Sequence, residues 1–232
     1  MPHSSLIVTF AVPQESREFR LALRRMDRGD IQVEHIGVGP AAAAARMSRL
    51  IADEKPRLVI CTGFAGGLDP RLAIGDLVVA ENLSTPEWVA RIRSEGSEGS
   101  PERPPAFGAV VSRALPVESV ADKTALARET GALAVDMESE AVAEACRAAA
   151  VPLLVVRVIS DPAGTPLPVP FGDWFDIVGQ QPRVLGLLQY LACHPGRIGP
   201  FAHFVRGLAP ARRAVADFLV HCIGSGGGLG RD

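Results

Sequence analysis

Two carboxylate side chains lie where predicted β-strands end. Glu138 follows a predicted strand at Ala132–Val135, and Asp161 follows a predicted strand at Leu153–Ile159. Residues just beyond the carboxyl ends of parallel strands meet at one edge of a sheet, where ligands bind. We therefore expect Glu138 and Asp161 to face one cleft. Two carboxylates in one cleft can bind hydroxyl groups and transfer a proton.

Each of these acids also has a purely structural interpretation. Asp161 precedes Pro162, and an Asp before Pro commonly opens a turn. Glu138 falls at the start of a predicted helix, where a negative charge is favoured by the helix dipole. Neither interpretation explains why the two acids should lie at the same edge, so we favour a chemical role for the pair.

The elements that position these acids alternate between strand and helix. Strand-like runs occur at Leu6–Ala11, Ile31–Ile36, Leu58–Thr62, Asp76–Ala80, Ala109–Val111, Ala132–Val135 and Leu153–Ile159. Helical patterns occur at Gln14–Arg25, Ala41–Glu54, Ala121–Glu129 and Glu138–Ala149. The alternation predicts an α/β fold, a single domain with a mostly parallel, mixed central sheet flanked by helices in three layers.

We place this domain at residues 1–169, followed by a helical extension of the same domain at residues 170–223. The glycine-rich residues 224–232 are expected to form a disordered tail. The segment Ser94–Pro105 is rich in Ser, Glu, Gly and Pro, which predicts a mobile surface loop.

The overall composition narrows the classes of function. The 232 residues are 47% hydrophobic and carry a formal net charge of −2, which suits a globular domain and gives no reason to expect nucleic acid. No apolar run is long enough to cross a membrane, and the histidines show no metal-site spacing. Four cysteines in stretches predicted to be buried, without a CxxC pair, indicate reduced thiols. We expect a cytoplasmic protein without a metal.

One glycine-rich turn could indicate a different activity. Gly37 and Gly39 follow a predicted strand and precede a predicted helix, as in a dinucleotide-binding fingerprint. That fingerprint requires an acid at the end of the following strand, about twenty residues on. The chain has Cys61 and Thr62 there, so we disfavour binding of NAD.

Three motifs in a fixed order resemble the nucleoside phosphorylase/nucleosidase superfamily. They are Thr62–Leu68 (Thr-Gly-Phe-Ala-Gly-Gly-Leu), Ala134–Ser139 (Ala-Val-Asp-Met-Glu-Ser) and Arg157–Asp161 (Arg-Val-Ile-Ser-Asp). The superfamily includes purine nucleoside phosphorylases and methylthioadenosine/S-adenosylhomocysteine nucleosidases, and the resemblance covers Leu6–Pro168. Together with the C-terminal extension, the second and third motifs look most like phosphorylase-like proteins associated with hopanoid biosynthesis.

The resemblance implies roles for the residues of the second and third motifs. Asp161 would protonate the leaving purine, Ser160 would position it at the base, and Arg157 would organise the carboxylates. Glu138 would bind the ribose hydroxyls, with Met137 packed beneath the sugar. Val117 lies in the segment that lines the base; relatives have an aromatic residue in this segment, and this chain has none.

The resemblance also implies which residues would activate or hold the nucleophile. Glu15 aligns with the glutamate that nucleosidases use to activate water, and the first loop lacks the Gly-Asp-Pro-x-x-Arg pattern of hexameric phosphorylases. The glycine-rich loop of Gly63, Phe64, Ala65 and Gly66 would hold the nucleophile or phosphate. Phe64 replaces a serine of the nucleosidases, which removes a hydroxyl group near the nucleophile.

The implied function is cleavage of the N-ribosyl bond of a purine nucleoside, with adenine favoured as the base and an apolar or bulky 5′ substituent. Adenosylhopane is the substrate if the narrower resemblance holds. Hydrolysis without a cofactor is favoured, and phosphorolysis with phosphate as co-substrate is the alternative. A nucleoside-binding protein without turnover is a further alternative. Relatives form dimers or hexamers, so we expect a homo-oligomer that binds a small nucleoside.

The extension has two open interpretations. Between Trp174 and Cys222, apolar residues recur at near-helical spacing with arginines among them. Such a segment can lie on an anionic membrane surface as a peripheral contact, or cover an apolar substrate. A chain that ends near Pro170 should then still fold. Alternatively, the segment is a core-packing or subunit-contact pair of helices.

Overall fold

A mixed sheet of eight strands forms the centre of the protein. The computed structural model describes residues 6–26, 28–95 and 104–224. The strands of this sheet are β1 (Leu6–Phe10), β2 (Ile31–His35), β3 (Leu58–Gly67), β4 (Leu77–Ala80), β5 (Ala106–Gly108), β6 (Val110–Ser112), β7 (Ala134–Asp136) and β8 (Leu153–Asp161). Their order is β2-β1-β3-β8-β4-β5, and β7 joins the far end of β3 to β6. The β3–β7 and β4–β8 pairs are antiparallel and the other pairs are parallel.

Helices cover both faces of the sheet. In chain order they are α1 (Arg17–Met26), α2 (Pro40–Glu54), α3 (Pro86–Glu95), α4 (Val120–Thr130), α5 (Ser139–Ala148), α6 (Phe171–Trp174), α7 (Val184–Cys193) and α8 (Ile198–Gly224). Helices α1 and α8 pack together on one face, and α2 packs with α5 on the other. The predicted single-domain α/β fold with a mostly parallel, mixed sheet is confirmed.

The sequence of β1 shows why both faces of the sheet must be covered. Leu6 and Val8 pack into the core beneath α1 and α8, whereas Ile7 packs into the core beneath α2 and α5. Successive side chains of a strand point to opposite faces, so a continuous apolar run requires a layer on each side. All nine residues of β8 are likewise buried, including the polar residues Arg157, Ser160 and Asp161.

Two strands are longer than predicted, and both changes affect the cleft. Strand β3 was expected to end at Thr62 but continues to Gly67, so the glycine-rich segment is a strand and not a loop. It is held by β8 along one side and by β7 at Gly66 and Gly67. Strand β8 likewise continues through Asp161, which places that acid at the last position of the strand.

Several other predictions change or fall outside the described residues. Helix α3 and strand β5 were not predicted. Ser94 and Glu95 belong to α3, and residues 96–103 of the predicted surface loop lie outside the described residues. Gly224 ends α8, while residues 225–232 of the predicted tail also lie outside them. Cys193 is exposed, unlike the other cysteines.

The C-terminal extension divides into parts with different surroundings. Helix α6 leads into a short antiparallel ribbon of β9 (Phe175–Asp176) and β10 (Gln181–Pro182), and then α7 and a 3-10 turn precede α8. The last part of α8 is buried in the main core through Ala211, Val215, Phe218 and Leu219, among others. This burial argues against the expectation that a chain ending near Pro170 would fold. In the described part of the chain, no helix combines the length and apolar character needed to span a bilayer.

Candidate active site

A cavity of about 350 Å³ opens at the edge of the sheet where β1, β2, β3, β7 and β8 end. Most residues of the predicted site line it: Glu15, Phe64, Ala65, Gly66, Val117, Met137, Glu138, Ser160 and Asp161. Gly63 and Arg157 do not line the cavity but lie behind Glu15, which is close to both. Both Glu138 and Asp161 therefore face one cleft.

Glu15 is held by backbone amides from two strands. Its Oε2 accepts hydrogen bonds from the N–H groups of Ala11 (3.0 Å) and Val12 (3.3 Å), and its Oε1 accepts one from Phe64 (3.0 Å). These bonds fix the carboxyl group at the junction of β1 and β3 and do not cap α1. Burial raises the pKa of Glu15 above its usual range, although the Phe64 amide and Arg157 oppose the rise. Since each carboxylate oxygen has two lone pairs, Oε1 can still accept from water.

Glu138 is joined to the glycine turn before α2. Its Oε1 accepts a hydrogen bond from the N–H of Gly39 at 2.8 Å. Burial and then the neighbouring Asp136 carboxylate raise the pKa of Glu138 to about 8. Glu138 occupies the N-cap position of α5 but makes no side-chain capping bond there. The turn that resembled a dinucleotide fingerprint thus contributes to this site.

Asp136 and Arg157 form a buried ion pair beneath the cavity. The Arg157 Nη2 lies 2.6 Å from Oδ2 of Asp136, and its Nε donates to the Ser139 hydroxyl at 2.9 Å. Asp136 also accepts from the backbone N–H of Ser139 and so caps α5. Burial lowers the pKa of Arg157, but Asp136 and the further acids Glu138 and Glu15 raise it more. Arg157 thus contacts Asp136 directly and acts on the other two carboxylates through its charge.

Asp161 is held by a lysine that the sequence analysis did not identify. Lys123, on α4, lies with its Nζ 2.5 Å from Oδ2 of Asp161, and Lys123 is 0% exposed. The Ser160 hydroxyl lies 2.5 Å from Oδ1 of Asp161 and 3.2 Å from the carbonyl oxygen of Ala65. Burial raises the pKa of Asp161, and the Lys123 ammonium opposes that rise.

The sequence gives only a weak indication that Lys123 belongs to the site. Lys123 and Leu126 are the two buried residues of α4 and lie three positions apart, on one face of the helix. A lysine on the apolar face of a helix requires a buried partner. The sequence does not indicate that partner, because Asp161 follows 38 residues later.

Gly63 separates Glu15 from Arg157. A Cβ atom at this position would lie 2.9 Å from Nη1 of Arg157 and 3.0 Å from both carboxylate oxygens of Glu15. Its φ of +141° is also rarely adopted by residues with a side chain. The next residue, Phe64, presents its backbone N–H to Glu15 and lines the cavity with an apolar group. Gly63 therefore allows the acid and the guanidinium to approach each other.

The extension supplies the aromatic residues that the base-lining segment lacks. Phe171, Trp174 and Phe175 line the cavity together with Phe204. The Phe171 ring centroid is 4.7 Å from that of Trp174 and 5.4 Å from that of Phe175. Aromatic rings this close pack favourably in edge and tilted arrangements. These residues were predicted from the sequence to belong to the extension, and their place in the site was not predicted.

Gln180 ties the extension to the turn that holds Glu138. Its side-chain Oε1 accepts from the N–H of Val38 at 2.6 Å, and its Nε2 donates to the Val38 carbonyl at 2.8 Å. Gly39, the next residue, donates to Glu138. Gln180 thus connects the ribbon at Phe175–Pro182 to the turn at Val38 and Gly39, and this turn holds Glu138.

The cavity wall contains acidic side chains but, among the described residues, no basic ones. Four acids line it, namely Glu15, Asp136, Glu138 and Asp161, and no lysine or arginine does so among the described residues. The other lining residues are mostly apolar. Across residues 6–26, 28–95 and 104–224, no group of three or more His, Cys, Asp or Glu side chains could hold a metal ion. The wall is suited to bind hydroxyl groups and transfer protons, and poorly suited to hold a free anion.

Known proteins match both the sequence and the fold. The sequence matches the family model of the Phosphorylase superfamily over residues 6–85 and 82–182. It is 27% identical over 194 residues to the 5′-methylthioadenosine/S-adenosylhomocysteine nucleosidase of Glaesserella parasuis, covering 72% of this chain and 84% of that protein. It is 28% identical over 178 residues to the nucleosidase of the same name from Tolumonas auensis, covering 65% and 76%.

Solved structures share the fold at lower sequence identity. The 5′-methylthioadenosine/S-adenosylhomocysteine nucleosidase of Helicobacter pylori, with butyl-thio-DADMe-Immucillin-A, gives a TM-score of 0.67 at 17% identity, covering 94% of this chain and 99% of that one. A mutant of the futalosine hydrolase of Helicobacter pylori gives a TM-score of 0.60 at 22% identity, covering 68% and 88%.

Proposed function

The chain belongs to the phosphorylase superfamily, and on that basis we propose that it hydrolyses the N-ribosyl bond of a purine nucleoside, with adenine as the leaving base. The observation that carries the choice of hydrolysis is the charge of the cavity wall. Four carboxylates line the cavity, and no lysine or arginine does so among the described residues. Phosphate would find no cationic side chain on that wall to bind its charge, whereas water needs only a base to accept its proton.

In the proposed mechanism, Glu15 takes a proton from water as the water oxygen bonds to C1′ of the ribose. The bond from C1′ to the purine breaks, and its electron pair moves to the base. Asp161 then gives its proton to the imidazole nitrogen of the purine, so that the base leaves neutral. Glu15 thus gains one proton and Asp161 loses one. Proton exchange with solvent then returns both groups to their starting states. Burial, which raises the pKa of both groups, supports proton transfer near neutral pH.

Ser160 holds the carboxyl group of Asp161 in place. Its hydroxyl donates to Oδ1 of Asp161 at 2.5 Å and lies 3.2 Å from the carbonyl oxygen of Ala65. Like the Lys123 ammonium, this hydrogen bond lowers the pKa of Asp161 and so opposes part of the rise that burial causes. Lys123 meanwhile holds the other oxygen, Oδ2.

We assign Glu138 and Met137 to the ribose. The carboxyl group of Glu138 and the partly buried Met137 line the same cavity as the two proposed proton-transfer groups. A carboxylate can accept from both vicinal hydroxyls and stabilise the cationic sugar of the transition state. Because the pKa of Glu138 is about 8, sugar binding to its carboxylate near neutral pH is coupled to release of a proton.

The apolar part of the cavity supports a substrate with an apolar or bulky 5′ substituent. Phe171, Trp174, Phe175, Phe204 and Leu208 all contribute to the wall and come from the C-terminal extension. These residues can also provide the stacking that the segment around Val117 lacks. Among such substrates we propose adenosylhopane. This choice rests on the resemblance of the second and third motifs and the C-terminal extension to phosphorylase-like proteins associated with hopanoid biosynthesis.

The proposal is tested by adenine release from a panel of nucleosides, with and without phosphate. The panel contains adenosine, inosine, 5′-methylthioadenosine and adenosine derivatives with longer 5′ alkyl groups. We expect adenine release that does not depend on phosphate and is fastest with an apolar 5′ group. An absolute requirement for phosphate would indicate phosphorolysis. Binding of these nucleosides without release of any base would show a nucleoside-binding protein instead.

A further inference from the structure

An apolar stretch of the extension is not covered by the rest of the protein. None of residues 181–210 is buried, whereas the part of α8 that follows lies in the core. We call residues 181–210 the hairpin; it contains α7, the 3-10 turn and the first part of α8. Its exposed apolar side chains are Val184, Leu185, Leu188, Ile198 and Val205.

These side chains form continuous strips on the two helices. Val184 and Leu188 are four residues apart on α7, and Ile198 and Val205 are seven apart on α8, so each pair lies on one helix face. Leu185 is 82% exposed, a large unfavourable contact of an aliphatic side chain with water. An apolar helix without buried residues requires cover from outside the chain.

The charge of the hairpin is opposite to that of the whole chain. No Asp or Glu occurs from residue 177 to residue 216, although the chain has a formal net charge of −2. Arg183, Arg197 and Arg206 are exposed on the hairpin. Apolar strips combined with arginines, without acids, are typical of helices that lie in the interface of an anionic membrane.

The hairpin is also continuous with the cavity. Pro182, Phe204 and Leu208 belong to it and line the cavity wall. Leu185, Leu188 and Ile198 do not line the cavity, so a substrate bound there would leave them uncovered. We propose that the hairpin docks on the surface of an anionic lipid bilayer, with its apolar strips at the acyl boundary, its arginines at the lipid phosphates and the cavity mouth beside the membrane.

A second copy of the chain fits this surface less well than a bilayer does. A two-fold contact through the hairpin would place the same surface on both sides. Arginines would then face arginines with no acid of the hairpin to pair them, which is unfavourable. Anionic lipid supplies the missing negative charge over the whole surface. The docking lies on the membrane surface, because no described helix is long and apolar enough to cross it.

Vesicle flotation tests the docking without any need for turnover. The full chain is floated with vesicles of phosphatidylcholine alone and with an equal mixture of phosphatidylcholine and phosphatidylglycerol. We expect strong binding to the mixture, weakened by salt, and little binding to phosphatidylcholine. The variant Arg197→Gln/Arg206→Gln should bind the mixture about thirtyfold more weakly, since each arginine near the surface contributes about fivefold.

The contribution of the apolar side chains to membrane binding is tested by a separate variant with matched controls. Leu185→Ser/Leu188→Ser should lower partitioning into the mixture by about tenfold for each side chain that enters the interface. Exposed residues of the same types away from the hairpin, changed as Arg49→Gln and Leu21→Ser, should leave binding unchanged. Because all of these positions are exposed, the variants should fold like the parent chain.

Two results would overturn the proposal. One is failure of the parent chain to float with the mixed vesicles. The other is self-association, seen by sedimentation, that is abolished by Leu185→Ser/Leu188→Ser while flotation is absent or unaffected; the hairpin would then be a subunit contact. Neither result bears on nucleoside cleavage, so this inference and the proposed function can fail separately.

Discussion

The ammonium group of Lys123 lies 2.5 Å from Oδ2 of Asp161; both side chains are buried, and only Asp161 lines the cavity. The same ammonium group donates to the carbonyl oxygens of Asp161 (3.2 Å), Pro162 (3.0 Å) and Thr165 (2.9 Å). One cation thus fixes the carboxylate and the chain that leaves β8. Since a buried ammonium group requires such partners, Lys123 and the end of β8 position each other.

Replacement of Lys123 should move the pH dependence of turnover. If Asp161 acts in its protonated form, the rate falls as pH rises through the pKa of Asp161. The Lys123 ammonium opposes the burial that raises this pKa. Lys123→Met removes that opposition, so the falling limb of kcat should move to higher pH.

A matched control separates the loss of the Lys123 charge near Asp161 from a general effect of replacing a lysine by methionine. Lys55→Met, at the exposed end of α2, should keep the parent pH profile. A loss of rate in Lys123→Met at every pH, with the falling limb in its original place, would show that Lys123 supports the structure only.

Asp161→Asn should remove the proton donor while keeping the shape of the side chain. We expect kcat to fall by about a hundredfold or more, the usual scale for loss of an acid catalyst. Circular dichroism should show an intact fold. Asp53→Asn, exposed on α2, is the matched control and should turn over normally. Near-parent turnover by Asp161→Asn would exclude Asp161 from the mechanism.

The raised pKa of Glu138 predicts that stability falls as pH rises. The folded protein keeps a proton on Glu138 up to a pKa of about 8, whereas an unfolded chain releases it near the usual value of 4.5. Between these values the folded state binds more protons, so its free energy of unfolding decreases with rising pH. The melting temperature of the parent chain should fall between pH 5 and pH 9, and that of Glu138→Gln should fall less.

The exposed residue Glu54, at the end of α2, provides the comparison for this pH effect. Glu54→Gln should keep the full pH dependence of the parent. Equal slopes for Glu138→Gln and the parent chain would mean that Glu138 titrates alike in the folded and unfolded states, contrary to its buried environment.

Gly63→Ala should damage activity more than stability alone explains. The added methyl group would meet Arg157 at 2.9 Å and Glu15 at 3.0 Å, so the proposed base must move. We expect kcat to drop by about tenfold or more, as small displacements of a catalytic group do. Gly75→Ala is a matched control, because Gly75 also has positive φ (+89°) but no atom lies within 4 Å of the added group. It should lose about 1 kcal/mol of stability and keep its activity. Equal activity of the two variants would contradict the proposed position of Glu15.

The superfamily and the fold were predicted correctly from the sequence. The prediction of an enzyme agrees with the matched relatives, which are nucleosidases. The fold was readable because the central strands contain continuous apolar runs, such as Leu58–Cys61, with helical patterns between them. Glu138 and Asp161 were predicted to share one cleft, and both line it, but the reason given from the sequence was wrong. Strand β7 runs antiparallel to β3 whereas β8 runs parallel to it, so the two acids do not follow parallel strands.

The remaining features depend on contacts between distant segments. Glycines disfavour strands, yet Gly63–Gly67 extends β3 because strands pair with it on both sides. Lys123 finds its partner on another element, and the aromatic wall at Phe171–Phe175 comes from a segment whose pattern suggested only packing. The exposed hairpin has the same apolar spacing as a core helix, so sequence could not separate the two interpretations.

The identity of the sugar product distinguishes hydrolysis from phosphorolysis. The nucleoside that the chain cleaves fastest is incubated with the enzyme in phosphate buffer, and the sugar is followed by proton and phosphorus NMR. The carboxylate-lined cavity predicts a sugar with a free reducing end and no phosphorus signal other than that of the buffer. Appearance of a sugar 1-phosphate would contradict hydrolysis and show that phosphate enters the cavity as the nucleophile.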